Sequence, residues 1–487
     1  MLFNSYIFIF LFFPLALIGY YGLQHFAHKK LAVGFLILMS MCFYGYNSIT
    51  YLGILMISIL LNYLLVGWMR RTPDGRVRSS IFAVGLLLNI GILFVFKYYD
   101  FFISNVNTLA RTDWGGLGLA LPLGISFYTF QQLSYVIDSY KKECEQYSLL
   151  EYAAYVSFFP QLIAGPIVYH DELIPQFRDT KNSHLNYENL SKGIYAFSLG
   201  LAKKVLIADT FSKVVAIGYG NISELNAVSV LLVMVSYSLQ IYFDFSGYCD
   251  MALGIGYMFN VELPINFNSP YKAASIVGFW DRWHMTLTRF FTKYIYIPLG
   301  GSRRGTVRTY GNILIVFLVS GIWHGANWTF ILWGIINGIG NVLEKLLGRF
   351  FRWVPRAVGV LVTFCFSTFA WSLFRADSIA QAKQLWQQLS VVGDGAIYVP
   401  ITSTFNELTE MRLLYRMGFG SIIESYPWIG LVLFTLLILF ACFFMRNTQE
   451  KVRDMRYTFP RMATTIVLLI WSILSLSDIS EFLYFNF

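Results

Sequence analysis

Apolar residues run in long blocks along this chain, and polar residues are confined to short intervals between them. The first block is Tyr6–Leu23, followed by about Leu31–Tyr46 and Tyr51–Met69; the last is about Met462–Leu476. A helix of about 20 apolar residues crosses the hydrocarbon core of a bilayer, so the pattern predicts membrane-spanning helices, roughly ten to twelve segments in all. The expected fold is all-α: a polytopic integral membrane protein with re-entrant and interfacial helices. No basic residue precedes Tyr6, so the first block reads as an uncleaved span and not a signal peptide.

The longest polar intervals, about Asp138–Glu151, His170–Ser191 and Val391–Tyr426, are too short for separate domains. There is no low-complexity linker and no repeat of fixed period, so residues 1–487 read as a single transmembrane domain. In Ser378–Ser390 the apolar positions Ile379, Ala382, Leu385, Trp386 and Leu389 recur at helical spacing. That suits a helix lying in the membrane interface, or equally one packed on its own protein.

Basic residues set the orientation. Lys29 and Lys30 follow the first block; Arg70, Arg71, Arg76 and Arg78 follow the third. Two crossings separate these loops, so they share a side, which the positive-inside rule makes cytoplasmic. Arg446, Lys451, Arg453, Arg456 and Arg461 precede the last block. Both termini are then expected outside.

Composition agrees. The chain is 56% hydrophobic and only 13% charged, where a soluble domain is about a quarter charged. This excludes a cytosolic enzyme, a secreted disulfide scaffold and a disordered chain. The net charge of +9 is accounted for by cytoplasmic loops, so no nucleic-acid partner is implied. The five cysteines are scattered without a CxxC pair, four of them in apolar stretches where a small buried hydrophobe is expected. No metal site is expected on them.

In so apolar a chain, the embedded polar residues carry the chemistry, because a charge at the bilayer centre costs about 2.5–3.5 kcal/mol on insertion scales. They gather between Gln240 and Trp328. Asp244 and Asp250 lie in Gln240–Asp250; Asp281, Arg282, His284 and Arg289 follow within Gly278–Phe291. If helical, Asp281 and His284 share a face at i, i+3. Trp280 and Trp283 suit an interfacial helix whose charges reach headgroups.

The third site is Ser320-Gly-Ile-Trp-His-Gly-Ala-Asn-Trp328, which interrupts the apolar run Ile313–Ile339 between basic flanks. Either the run turns back within the membrane, in halves of about 18–24 Å with His324 at the turn, or it is one tilted helix with His324 near its middle. Gly321 and Gly325 would let another backbone or a substrate approach. A buried imidazole is expected to be neutral, and a neutral imidazole beside a hydroxyl is a general base for acyl transfer. His25, His28, His170 and His184 lie at segment edges or in loops, which leaves His284 and His324 as the embedded pair. The chain has no phosphate-binding Gly-Lys-Ser/Thr loop, no HExxH, no GxSxG elbow, and no His with an Asp five positions later.

These residues stand in a longer resemblance. Asn4–Pro14, Leu121–Gln131, Phe159–Ile167, Ile241–Tyr248, Phe279–Arg289 running on to Tyr296–Ser302, and Ser320–Trp328 occur in an order that resembles the membrane-bound O-acyltransferase (MBOAT) superfamily. Within it the chain most resembles the membrane subunits of alginate O-acetylation and relatives that acetylate exopolysaccharide or peptidoglycan.

The resemblance implies that His324, in Trp-His-Gly, and His284, in Arg-Trp-His, are catalytic. It implies a body with funnels from both faces meeting at these histidines, and acyl transfer from a cytoplasmic thioester to the outer face of a bacterial inner membrane. Tyr484, in the C-terminal aromatic motif, would be an acyl relay, or else an interface anchor. Asp281, Arg282, Arg303, Arg304, Trp323 and Asn327 would contact substrate or donor, the arginines holding donor phosphates unless positive-inside bias alone explains them.

No bound cofactor is expected. The donor is acetyl-CoA or an acyl-carrier thioester, and the partners are membrane lipids and a periplasmic polysaccharide acetyltransferase. The expected activity is O-acetylation of an alginate-like exopolysaccharide. Peptidoglycan O-acetylation and D-alanyl transfer to teichoic acid are alternatives on the same fold, and a transporter or scaffold without catalysis is an alternative of another class.

Overall fold

The computed structural model describes residues 1–26, 28–348, 353–393, 395–476 and 482–483. Among them every regular element is helical. Among the described residues six helices are long and apolar enough to cross a membrane, or seven if the bent pair Thr409–Ser425 and Ile429–Phe444 is one span. That is fewer than the ten to twelve segments expected. Some apolar blocks form helices shorter than a span, such as Lys29–Gly45 with 17 residues.

Those needed below are α1 (Ile49–Arg71), α2 (Arg76–Leu93), α3 (Ile125–Lys141), α4 (His170–Arg178), α5 (Ala227–Met258), α6 (Ile276–Trp280), α7 (Met285–Phe291), α8 (Thr306–His324), α9 (Trp328–Leu346), α10 (Arg356–Arg375) and α11 (Ile379–Gln387).

The spans show a surface suited to lipid. Leu60, Leu64, Leu87 and Ile90 on α1 and α2 are exposed, whereas Asn62 and Asn89 of the same helices are buried and bonded to each other. Polar side chains turn inward because only there do they find partners, while apolar ones meet hydrocarbon without cost. Of the four cysteines in apolar stretches, Cys249 and Cys442 are buried, but Cys42 and Cys365 are exposed.

The described residues gather into two compact units. One consists of Met1–Gly200, Tyr248–Ile265 and Met455–Phe487; the other of Leu201–Gly247 and Asn266–Asp454. In the first, Tyr44 and Tyr51 bond the carbonyls of Leu123 and Ala120 ahead of α3.

In the second unit, α8 and α9 form a helical hairpin. Its arms approach closely because glycines face each other. A Cβ on Gly321 would lie 2.4 Å from the carbonyl oxygen of Phe330, and one on Gly334 2.4 Å from that of Phe317. The two glycines therefore admit the protein's own backbone. Helix α11 packs on its own protein, with Ala382 and Leu385 buried and the Trp386 indole donating to Ser372 Oγ at 2.9 Å.

Candidate active site

The hairpin decides between the two readings of Ile313–Ile339: the run turns back, and His324 is the last residue of α8. The arms are longer than expected, 19 residues each, or about 28 Å at 1.5 Å per residue. Helix α8 starts at Thr306 and takes in the polar Arg308, Thr309 and Tyr310 ahead of the apolar run.

Asn327 makes the turn. Its Oδ1 accepts from the backbone N–H of Thr329 at 3.1 Å, capping α9, and its Nδ2 donates to the carbonyl of Asp377 at 2.9 Å. One end of this amide caps α9 and the other ties the turn to the segment after α10.

His284 arrives from a different kind of structure. Helix α6 ends at Trp280 and α7 begins at Met285; His284 between them has φ +47°, left-handed for a non-glycine residue. Such a conformation costs energy and persists where surrounding bonds impose it. Here Met285 N–H donates to the Asn266 carbonyl at 3.0 Å, and Asn268 N–H to the Arg282 carbonyl at 2.9 Å.

Residues 281–284 are thus not helical, and the shared i, i+3 face expected for Asp281 and His284 does not form. Asp281 is exposed while His284 is buried. Arg282 is half-buried, its Nη1 donating to the Asn268 carbonyl at 3.3 Å.

The two imidazoles meet inside a wall of rings. Their centroids are 6.3 Å apart, close enough for both to reach one small group. Trp323, Trp333 and Phe374 lie 4.8, 5.1 and 5.1 Å from His324; Phe245 and Trp323 lie 4.9 and 6.0 Å from His284. Both histidines are at most 2% exposed.

Asn266 fixes the state of His284. Its Oδ1 accepts from the Thr286 backbone N–H at 3.2 Å, which identifies this atom as the oxygen. His284 Nδ1, 3.1 Å from the same Oδ1, must therefore carry the proton. In the neutral ring Nε2 then holds the lone pair. His284 lies between short helices, outside the long apolar ones, and burial pushes its pKa down to about 3. The ring is neutral at any physiological pH.

Arg303 and Arg304 are exposed on the turn before α8. The whole 19-residue length of α8 separates them from His324, so they do not join the histidines. Tyr484 lies outside the described residues.

The sequence reading missed Asn266, Trp333 and Phe374. Asn266 carried one signal, being a polar residue between the apolar Ile265 and Phe267, but it is 18 positions before His284. His170 does stand at a segment edge, as the first residue of α4. What the sequence did not show is its burial in the first unit, with Nε2 3.1 Å from Asp138 Oδ2 and Nδ1 3.0 Å from the Tyr147 hydroxyl.

A buried imidazole pair is suited to proton transfer from a hydroxyl, and known proteins give this chemistry a context. A model of the MBOAT, membrane-bound O-acyltransferase, family matches residues 26–379. A peptidoglycan O-acetyltransferase of Helicobacter pylori is 38% identical over 100% of this chain and 98% of its own. A probable alginate O-acetylase AlgI of Azotobacter vinelandii is 34% identical over 81% of this chain and 79% of its own. A teichoic acid D-alanyltransferase of Bacillus subtilis is 26% identical over 52% and 68%. From the family match across most of its length and from relatives of this coverage, the chain belongs to the membrane-bound O-acyltransferase family and is a multi-pass membrane acyltransferase.

Proposed function

We propose that this chain moves acetyl from a cytoplasmic thioester, acetyl-CoA or an acyl-carrier thioester, across a bacterial inner membrane for O-acetylation of peptidoglycan, with His324 as general base. The single observation that carries the chemistry is the buried His284–His324 pair, 6.3 Å between ring centroids in an aromatic wall. The choice of peptidoglycan over an alginate-like exopolysaccharide rests on alignment. The Helicobacter relative matches along the whole chain, whereas the alginate O-acetylases match about four fifths of it.

His324 takes the proton of the acceptor hydroxyl as its oxygen attacks the thioester carbonyl. The C–O bond forms, the C–S bond breaks, and the proton passes to the departing thiolate. His284, neutral with its lone pair on Nε2, is an acceptor in this step. In that tautomer Nε2 offers no N–H to a carbonyl oxygen, so its part is to position the reacting groups. Trp323 closes one side of the reacting space. Arg282, Arg303 and Arg304, far from the histidines in the latter two cases, suit the anionic end of the donor. A periplasmic acetyltransferase partner completes delivery to the polymer, and both termini are outside.

The test is a deletion strain complemented with wild type or His324→Ala, with ester-linked acetate measured separately on peptidoglycan and on exopolysaccharide. Loss of acetate from peptidoglycan alone, restored only by wild type, is expected. Loss from exopolysaccharide alone would assign the alginate-type substrate, and full restoration by His324→Ala at normal protein level would remove the base assignment.

A further inference from the structure

The first unit contains a polar cavity remote in sequence from the histidine pair. It has a volume of about 560 Å³ and lies where α1 ends and α3 ends. Four cations line it: Arg70 and Arg71 at the end of α1, Arg78 in the first turn of α2, and Lys142 just past α3. Asp74 is the single carboxylate among its lining residues, and it pairs with both Arg78 and Lys142. Positive-inside bias accounts for basic residues in this loop. It does not account for their closing a cavity with a lysine about 70 positions further along the chain.

The guanidiniums are held in place. Arg78 Nη2 donates to the Tyr140 carbonyl at 2.6 Å, and Arg70 Nη2 to the carbonyls of Cys144 and Glu145 at 2.7 Å each. Arg78 thereby caps the carboxyl end of α3, where cations are favoured, and Arg70 holds the loop that follows it. Among the described residues, every hydrogen bond of the Arg70 side chain leaves through this one nitrogen, and its Nε is buried with no hydrogen-bond partner. Arg71 is exposed and has no acidic partner among the described residues.

A second, more apolar groove of about 230 Å³ adjoins the first. The two share Arg71 and Gln146, and the groove continues along α1 past Tyr63, Leu64 and Gly67 to Trp68. Helix α1 is one of the spanning helices, and its apolar stretch ends at Arg70. Trp68 is 62% exposed, as suits a side chain at headgroup depth. Charge therefore sits at the membrane boundary and apolar space runs from it into the bilayer.

We propose that this paired cavity binds one anionic phospholipid, its phosphate among Arg70, Arg71 and Lys142 and an acyl chain in the groove along α1. Basic pockets between membrane helices recognise such headgroups, each accessible cation being worth about 1 kcal/mol. The phosphate is the recognised chemistry; the groove distinguishes a lipid from a free anion.

The test uses the full-length protein in nanodiscs of mixed phosphatidylglycerol and phosphatidylcholine, with bound lipid read by native mass spectrometry. Phosphatidylglycerol is expected to be retained preferentially. The double variant Arg71→Gln/Lys142→Gln, at exposed positions, is expected to weaken that retention about 30-fold, at the value of two surface cations. Arg412→Gln/Arg416→Gln, equally exposed but elsewhere, is expected to leave it unchanged; an equal loss there would overturn the site in favour of general surface attraction. A Cβ on Gly67 would meet open space, so Gly67→Leu fills the groove. It is expected to lower lipid retention while leaving inorganic phosphate binding unaltered. Full lipid retention in Gly67→Leu, or displacement of the lipid by millimolar inorganic phosphate, would overturn the lipid and leave a small-anion site.

Discussion

Each compact unit buries one histidine arrangement, and the two are built on opposite principles. In the first unit, His170 sits between a carboxylate and a phenol: Asp138 fixes Nε2 as the donor, and Nδ1 accepts from Tyr147. Both ring nitrogens are committed, so the imidazole acts as a strut between α3, α4 and the segment at Tyr147. In the second unit, His284 faces an amide and aromatic rings. The amide orients the ring without supplying charge, so burial wins and the ring stays neutral. Both rings are buried, and they differ in their partners: a carboxylate and a phenol for His170, an amide for His284.

The largest expected effect separates the two arrangements outright. His324→Ala should lower thioester turnover by about 10²–10⁴-fold, the worth of a positioned base, with the thermal midpoint nearly unchanged. His170→Ala should do the reverse, keeping turnover per folded molecule. Purified protein, free thiol release and a melting curve check both, and a matching loss of turnover in His170→Ala would break the contrast.

Asp138→Asn should cost about 1–3 kcal/mol of stability by leaving a buried pair poorly matched, read as a lower thermal midpoint in detergent with turnover per folded molecule retained.

Asn266→Asp moves the carboxylate principle into the candidate active site. An acid beside Nδ1 favours the imidazolium, so the pKa of His284 should rise from about 3. The pH–rate profile of the variant should then gain an acid limb that wild type lacks between pH 5 and 8. In wild type the sign runs as for any group whose folded pKa is depressed. His284 contributes stability that is present above the ordinary histidine value of about 6.5 and is lost as pH falls from there toward 3. A wild-type thermal midpoint that stays flat from pH 7 to 4 would contradict a neutral, buried His284.

The smallest effect is at the hairpin turn. Asn327→Ala should remove a helix cap worth about 1 kcal/mol. If its turnover falls far more than its stability, the amide touches substrate as well as the turn.

Much of this was legible in one dimension. Helical class and membrane residence follow from apolar block length, because a bilayer demands about 20 apolar residues wherever the chain crosses it. His324 stood out because an imidazole inside such a run is costly unless it is used or satisfied. The turn was legible as one of two alternatives, since basic flanks on both sides of Ile313–Ile339 fit a return.

What escaped the sequence depends on contacts between distant positions. Asp138 and His170 are 32 residues apart, and Asn266 and His284 are 18 apart; no local period links either pair. The i, i+3 reading of Asp281 and His284 failed because hydrogen bonds with the Asn266–Asn268 backbone hold the intervening residues out of a helix and His284 in a left-handed conformation.

The sequence by itself determined that the chain lives in a bilayer, that it is helical, and which two imidazoles lie in its most polar embedded stretch. Those are properties of local composition against a solvent that penalises every misplaced polar group. Only the tertiary structure decided that the two rings meet 6.3 Å apart, that an asparagine and not a carboxylate orients one of them, and that a third histidine is buried as a strut. Side-chain partners across dozens of residues are set by packing, and packing is where the tautomers of His170 and His284 are chosen.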